Sequence, residues 1–519
     1  MTLPTAPQAT RREWIGLAVI ALPCFVYAMD MTVLNLALPA ISAQLQPTAS
    51  QLLWMVDIYG FFVAGFLITM GNLGDRIGRR RLLLIGAAAF GLASIVAAFS
   101  SSAEMLVAMR ALLGVAGATV APSTMSLIRT MFADDRQRQF AIGVWIASFS
   151  AGSAVGPLIG GVLLQFFWWG SVFLVAVPVM AVLLLLGPKL LPEYRDPQAG
   201  PIDLVSAGMS LAAILAVVFA LKQLAEHGFA WAPAVLLALG LALGALFVRR
   251  QGRLGTPLVD TGLFAQARFS AAIAAYGLSC LAMFGVFIFV AQYLQLVLGL
   301  SPLAAGVATV PWSLGFVAGS LAAPQLARRW TPESVLVWGL GAAAIGFGLL
   351  AMVDGRWGLV ILVAATVVMS LGLSPVFTVG NELIITAAPH ERAGAASALA
   401  ETAAELSGAL GIGLVGSLGM LHYRHQLDAG LPDGVAQSLA AAVGPQALAT
   451  LGGALSAAQS LPVELGQALR LAARAGFVDA LQLAAVVGGV VVVLAGVIVV
   501  RLLRGPALSQ AHTAKSGAD

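Results

Sequence analysis

Charge is what this sequence has least of. Only 10% of its 519 residues are Asp, Glu, Lys or Arg, against 60% apolar, and the mean hydropathy is +0.95. A soluble globular domain carries about 25% charged residues, so water is excluded as the solvent for most of this chain. Cysteine is nearly absent: Cys24 and Cys280 both fall in apolar runs, where they read as small packing residues and not as a disulfide or metal pair. Of the histidines His227, His390, His422, His425 and His512, only the loop pair His422/His425 shares a site. That argues against a polytopic membrane enzyme, which needs His, Asp or Ser clustered at one membrane face. No GxxxxGK[ST] phosphate loop occurs, which argues against direct ATP drive. No cofactor and no metal are expected.

What fills the chain instead is a series of long apolar runs. About 20 apolar residues cross the hydrocarbon core as helix. Fourteen spans are expected, near 14–38, 52–72, 81–101, 104–128, 138–165, 171–191, 204–222, 232–249, 270–296, 303–326, 334–353, 357–388, 393–421 and 476–502. An even number puts both termini on one side. Placing them in the cytoplasm leaves 21 of the 27 Lys and Arg in inner segments, five (Lys222, Arg356, Arg424, Arg470, Arg474) outside, and Arg110 within a span. The bias matches the positive-inside rule and supports the orientation, because losing one helix scrambles it. Losing the pair at 204–249 keeps the parity, so a twelve-helix alternative stays open. The net charge of +4 is this bias showing through and is not read as nucleic-acid binding. Arg11 and Arg12 precede a first span too long for a signal-peptide core, so that span is expected to be retained as an anchor.

Basic clusters at Arg76/Arg79/Arg80/Arg81 and Arg328/Arg329 occupy comparable inner loops and suggest two related halves that rock about a central site. Residues 1–191 are expected to form an N-terminal six-helix bundle and 192–268 a linker carrying two additional spans. Residues 269–504 then form a C-terminal six-helix bundle, and 505–519 a cytoplasmic tail without order. The long outer segment 422–475 is punctuated by Asp428, Asp433, Gln437 and Glu464, and reads either as a short helical hairpin capping the exit or as a loop.

The most specific segment is Gly71-Asn72-Leu73-Gly74-Asp75-Arg76-Ile77-Gly78-Arg79-Arg80-Arg81. Its glycines permit a tight turn between antiparallel spans, and Asp75 with its arginines can latch neighbouring helix ends in one conformation. A merely basic inner loop explains the arginines but not the spaced glycines or the acid. This loop closely resembles the signature of the major facilitator superfamily. Arg110 to Ala118 in span four resembles the superfamily's intramembrane Arg motif. Gly152 through Gly156-Pro157-Leu158-Ile159-Gly160-Gly161 in span five resembles its antiporter motif. Independently of the resemblance, Gly152, Gly156 and Gly160 repeat every four residues and clear one helix face for close approach, while Pro157 invites a kink; a static packing face is the alternative.

Asp30-Met31-Thr32-Val33-Leu34-Asn35 in span one and Leu53-Trp54-Met55-Val56-Asp57-Ile58-Tyr59 in span two are similar to the fourteen-span drug:proton antiporters, the QacA/SmvA type of multidrug efflux pump. The resemblance covers nearly the whole chain and implies the major facilitator fold, an all-α membrane protein. It also implies a monomeric, proton-coupled antiporter of the bacterial inner membrane that exports lipophilic cations: quaternary ammonium compounds, dyes and bisbiguanides. Ala176 replaces an Asn of the family pattern. Phe316 stands where such proteins can carry an acid for divalent cations, which implies poorer export of dications.

Five acids inside predicted spans stand out: Asp30, Asp57, Glu382, Glu401 and Glu405. An ionised carboxylate in hydrocarbon costs about 3 kcal/mol, so each is a functional candidate. Desolvation penalises the charged form, which lets one site hold either a proton or a cation, the minimal chemistry of antiport. Glu401 and Glu405, four residues apart, share a helix face and one proton; Phe316 is placed with them in substrate binding. Asp57 follows Trp54 by one turn, an anion beside a ring face suited to a delocalised cation, with Tyr59 next to it; a belt aromatic is the other reading of Trp54. Asp30 is expected to pair with Arg110 and couple protons while Asp57 attracts the cation, or the reverse. Glu382 is structural or sits near the cytoplasmic mouth, or else lines the path. A proton-coupled exporter of a lipid, siderophore or amino acid is the rival reading, and predicts more polar or basic groups in the cavity, whereas Arg110 is the one Arg or Lys within a span. A non-transporting sensor has no need of five buried acids.

Overall fold

The computed structural model describes residues 8–193, 195, 203–227, 230–254, 261–387, 393–431, 444 and 448–515. Among them there is no strand; the chain is helix joined by short turns. In order the helices are α1 (Arg11–Leu45), α2 (Ala49–Ile77), α3 (Arg79–Ala98), α4 (Ala103–Gly117), α5 (Val120–Met131), α6 (Asp135–Phe166), α7 (Ser171–Leu174), α8 (Ala176–Leu190), α9 (Leu204–His227) and α10 (Trp231–Gln251). Then come α11 (Ala267–Gln292), α12 (Pro302–Ala308), α13 (Val310–Arg329), α14 (Pro332–Leu350), α15 (Gly358–Ala387), α16 (Ala393–Ala429), α17 (Leu451–Ala457) and α18 (Val463–Lys515).

Side-chain caps set many of the starts. Thr48 and Gln51 form a reciprocal capping box at the head of α2, with bonds of 2.9 and 3.1 Å. Ser102, Asp134, Thr331 and Thr450 cap α4, α6, α14 and α17 by accepting from the backbone three residues on. Apolar composition then carries the helices onward, because in lipid only an internally bonded backbone is tolerated.

Every expected span has a helix. Among the described residues twelve are long and apolar enough to cross a membrane, thirteen with α6 counted as one bent span. The expected count of fourteen is not reached by that measure, because the apolar part of α9 is only Val205–Leu221. The bend in α6 is 40°, between Phe140–Ser153 and Val155–Phe166. Pro157 accounts for it: the ring lacks an N–H and crowds the carbonyl four residues back, which is that of Ser153. Thr32 of α1 brings its hydroxyl to 3.3 Å from that carbonyl oxygen and 3.1 Å from its own Met29 oxygen.

Within the C-terminal third, α16 runs on to Ala429, α17 follows, and α18 begins at Val463, so the expected outer segment 422–475 is partly helical. α18 continues to Lys515. Asp433, Gln437 and His390 lie outside the described residues.

The chain divides into two units. One comprises Met1–Val217, Leu294–Val307 and Asp433–Arg470; the other comprises Val218–Tyr293, Ala308–Pro432 and Leu471–Asp519. In the first, α1 packs on α6, α2 on α4, and α3 on α4 and α8. In the second, α11 packs on α16, and α15 on α14 and α13.

Candidate functional site

In the first unit the decisive group is Arg110, 1% exposed on α4. A buried guanidinium needs its charge answered and its fork filled. Its Nη1 bonds Asp30 of α1, its Nε donates to the Met55 carbonyl of α2 at 3.0 Å, and its carbon lies 4.6 Å over the Tyr59 ring. Asp30 is itself 5% exposed. The approach of α4 to α2 depends on glycine: a Cβ on Gly114 would run into the Tyr59 backbone, and one on Gly117 would lie 2.9 Å from the Tyr59 hydroxyl. The expected Asp30–Arg110 pairing is therefore present, with Tyr59 as a wall of that pair.

Asp57 is as buried as Arg110, but the pitch of α2 turns it away from the face that carries Met55 and Tyr59. It shares its side of the helix with half-buried Trp54 and fully buried Phe61, whose rings lie 6.1 Å apart. The structure thus places Asp30 and Asp57 in different company, one beside a guanidinium and one on the helix face that carries Trp54 and Phe61.

The glycines of α6 form the face expected of them. Gly152, Gly156 and Gly160 lie against Phe25, Met29 and Val33 of α1, leaving no room for a Cβ at any of the three. Gly161 packs on Pro302 and Leu303, and Gly306 on the Pro157 carbonyl, at Cβ distances of 2.8 and 2.6 Å. The helix that carries Asp30 is thus held by the glycine face of α6 on one side and by Arg110 on another.

At the α2–α3 turn, Gly78 adopts φ +110°, a backbone that side chains avoid. Asp75 bridges Arg79 at 2.5 Å, and Arg79 reaches the Pro122 carbonyl of α5 at 3.4 Å. Gly74 leaves space for the Arg79 side chain, and Gly71 lies beside Pro122; Arg76 is exposed. The turn also has a partner that sequence spacing did not expose, Glu193. Its carboxylate accepts from the Arg80 backbone at 3.2 Å and pairs with the Arg80 guanidinium at 3.4 Å.

In the second unit Glu401 and Glu405 are half-buried on α16, one turn apart. Tyr276 and Cys280 of α11 lie within electrostatic reach of both. From Tyr276 a row of half-buried rings runs through Phe377, Phe316, Trp312 and Phe287, with successive centroids at 5.2, 5.9, 6.1 and 5.1 Å. Ser374 donates to the Phe316 carbonyl at 2.6 Å, which fixes that turn of α13. The α11–α16 contact repeats the device of the first unit: Gly408 meets Phe284, Gly411 the Leu281 carbonyl, and Gly285 the Gly411 carbonyl. Glu382 is exposed near the end of α15, apart from this row.

A family model for the Major Facilitator Superfamily matches residues 20–412. The chain belongs to that superfamily. As a member it is a membrane transporter and not an enzyme. It is 43% identical over 96% of its length, and 97% of the relative's, to the multidrug efflux pump LfrA of Mycolicibacterium smegmatis. It is 37% identical to the methyl viologen resistance protein SmvA of Salmonella typhimurium, covering 90% of this chain and 93% of that one. Among solved structures it matches a bacterial homologue of the human lysosomal transporter Spinster, with a TM-score of 0.66 at 17% identity. That match covers 95% of this chain and 99% of the other, and bears on the fold alone.

Three features of this superfamily member escape sequence reasoning. The aromatic row beyond Phe316 comes from three helices far apart in the chain, and no spacing rule links Tyr276 to Phe377. Phe61 was visible only as the residue one turn after Asp57. Asp479 lies partly buried within α18, inside the predicted span 476–502, and a count of acids along that run would have found it.

Proposed function

We propose that the chain is a proton-driven exporter of lipophilic organic cations, acting as a monomer in the bacterial inner membrane with both termini cytoplasmic. The observation that carries this reading is the second unit's pairing of two acids with a row of rings. Glu401 and Glu405 offer negative charge, and Tyr276, Phe377, Phe316 and Trp312 offer flat apolar faces. A large delocalised cation needs both and needs few hydrogen bonds. A sugar or peptide would instead require a lining of amide and hydroxyl groups.

Proton coupling is assigned to Asp30 with Arg110 and to Glu401 with Glu405. Asp30 balances Arg110 when ionised; a proton on Asp30 releases the guanidinium to its remaining contacts on α2. Glu401 and Glu405 hold a proton between them when no substrate is bound, and a cation displaces it. Asp57, with Trp54 and Phe61, is a second cation-attracting position. The Asp75–Arg79 turn acts as the conformational latch, and the α1–α6 glycine face lets α1 move without losing its seal. Relatives named for multidrug efflux and for methyl viologen resistance support this substrate class. Methyl viologen carries two charges, so dications are substrates to be tried despite Phe316.

The test is fluorescence dequenching in everted vesicles holding an established pH gradient, on adding a monovalent quaternary ammonium dye and then methyl viologen. Substrate-dependent collapse of the gradient in wild type, lost in Glu401→Gln or Glu405→Gln, is the expected result. No collapse with any cation, from protein shown to be inserted and monodisperse, rejects the reading in favour of another exported solute.

A further inference from the structure

Along α3 and α8 the first unit carries a groove that transport chemistry leaves unused. Its volume is about 430 Å³. Leu84, Ile85, Ala88 and Pro188 form its floor, and Arg80, Arg81 and Glu193 close the end at the α2–α3 turn. Arg80 is partly engaged: its Nε faces Glu193, and its Nη1 donates to the carbonyls of Pro188 and Leu191 at 3.2 and 3.0 Å. Among the described residues no acceptor takes its Nη2 or any nitrogen of the exposed Arg81. Because Glu193 is satisfied by Arg80 at both oxygens, two guanidiniums face one carboxylate, and the groove's end keeps a positive charge.

The floor continues away from that charge. Leu92 is two turns beyond Ile85 on the same face of α3 and 66% exposed; Leu185, one turn from Pro188 on α8, is 70% exposed. At 1.5 Å per residue, Ile85 and Leu92 lie about 6 and 16 Å from Arg81 along the axis, which is the depth of one leaflet's hydrocarbon, roughly 15 Å. A cationic end above an apolar runway one leaflet long matches a lipid with a negative headgroup, and exceeds what a free anion needs.

We propose that this groove binds one anionic phospholipid, its phosphate on Arg81 and the outer edge of Arg80, and one acyl chain along Ile85 and Leu92. A zwitterionic headgroup is disfavoured because the one carboxylate that would take its ammonium is already paired.

Native mass spectrometry of the full chain, released from vesicles of equal phosphatidylglycerol and phosphatidylcholine, tests this. Wild type is expected to retain one phosphatidylglycerol in preference to phosphatidylcholine. Arg81→Gln should cut that preference about fivefold. Ala88→Phe, which fills the floor without altering charge, should lower retention of both lipids. Millimolar inorganic phosphate should displace neither. If Ala88→Phe fails to elute as a folded species, Ile85→Asn probes the same floor. Equal retention of the two lipids, or wild-type retention in Arg81→Gln and in the floor variant, overturns the proposal. Displacement by inorganic phosphate alone makes this a free-anion site and overturns it as well.

Discussion

In the unit that carries α1 to α8, the buried acid Asp30 is met by Arg110, whereas in the unit that carries α11, α13, α15 and α16, Glu401 and Glu405 lie within electrostatic reach of Tyr276, at the head of a row of rings. The backbones solve the same problem in the same way, since α1 lies on the glycines of α6 as α11 lies on those of α16. What differs is the answer given to the charge. A carboxylate bonded to a guanidinium is held in one geometry by that partner. The difference teaches that a pair of similar helix frames can give their acids different electrostatic surroundings through a few side chains.

The comparison can be broken most severely at Arg110. Arg110→Ala leaves Asp30 buried without its partner, a loss of about 3–5 kcal/mol, and should abolish export and lower the thermal midpoint in detergent. The pair variant Asp30→Asn with Arg110→Gln should recover the midpoint but not export. Midpoints equal in the single and double variants would separate the pair's role from stability.

Next in size is the shared glycine frame. Gly152→Leu must push α6 off the Phe25 backbone, and overpacking of this kind costs about 1–3 kcal/mol. Folded yield and export should both fall, as they should for Gly411→Leu in the other unit. Tolerance of leucine in one unit only would show that the frames are not equivalent.

The aromatic unit is sharpened by Phe316→Ala. A ring–cation contact contributes about 0.5–2 kcal/mol, so the KM for a dye cation should rise about 2- to 30-fold. Basal proton leak, measured by gradient decay without substrate, should not change. Thr32→Val is a smaller perturbation. It deletes the hydroxyl beside the Ser153 carbonyl that Pro157 sets free, worth about 1 kcal/mol, and should slow export several-fold without changing KM. Glu193→Gln should move stability least, under about 1 kcal/mol for a partly exposed pair. Its effect is expected in the accessibility of a cysteine introduced at the α2–α3 turn.

Much of this was legible in the sequence, for reasons that can be named. Helix positions follow from apolar run length, because lipid admits no other backbone solution for such a chain. The Asp30–Arg110 pair was inferable since two opposite charges stranded in hydrocarbon must find each other. The α6 glycine face was readable because residues four apart share a side of a helix. Legibility ended where partners come from distant segments. Glu193 gave no local sign of its bond to Arg80, and Tyr59 gave none of its place under the Arg110 guanidinium.

By itself the sequence determined that this protein lives in a membrane as a bundle of helices, and where its few charges had to be buried, because burial of charge and of backbone in lipid is governed by local composition. Only the tertiary structure decided which rings gather in the unit that carries Glu401 and Glu405, and that Glu193 meets Arg80. That choice depends on which helix faces meet, and helix faces meet through packing of residues hundreds of positions apart.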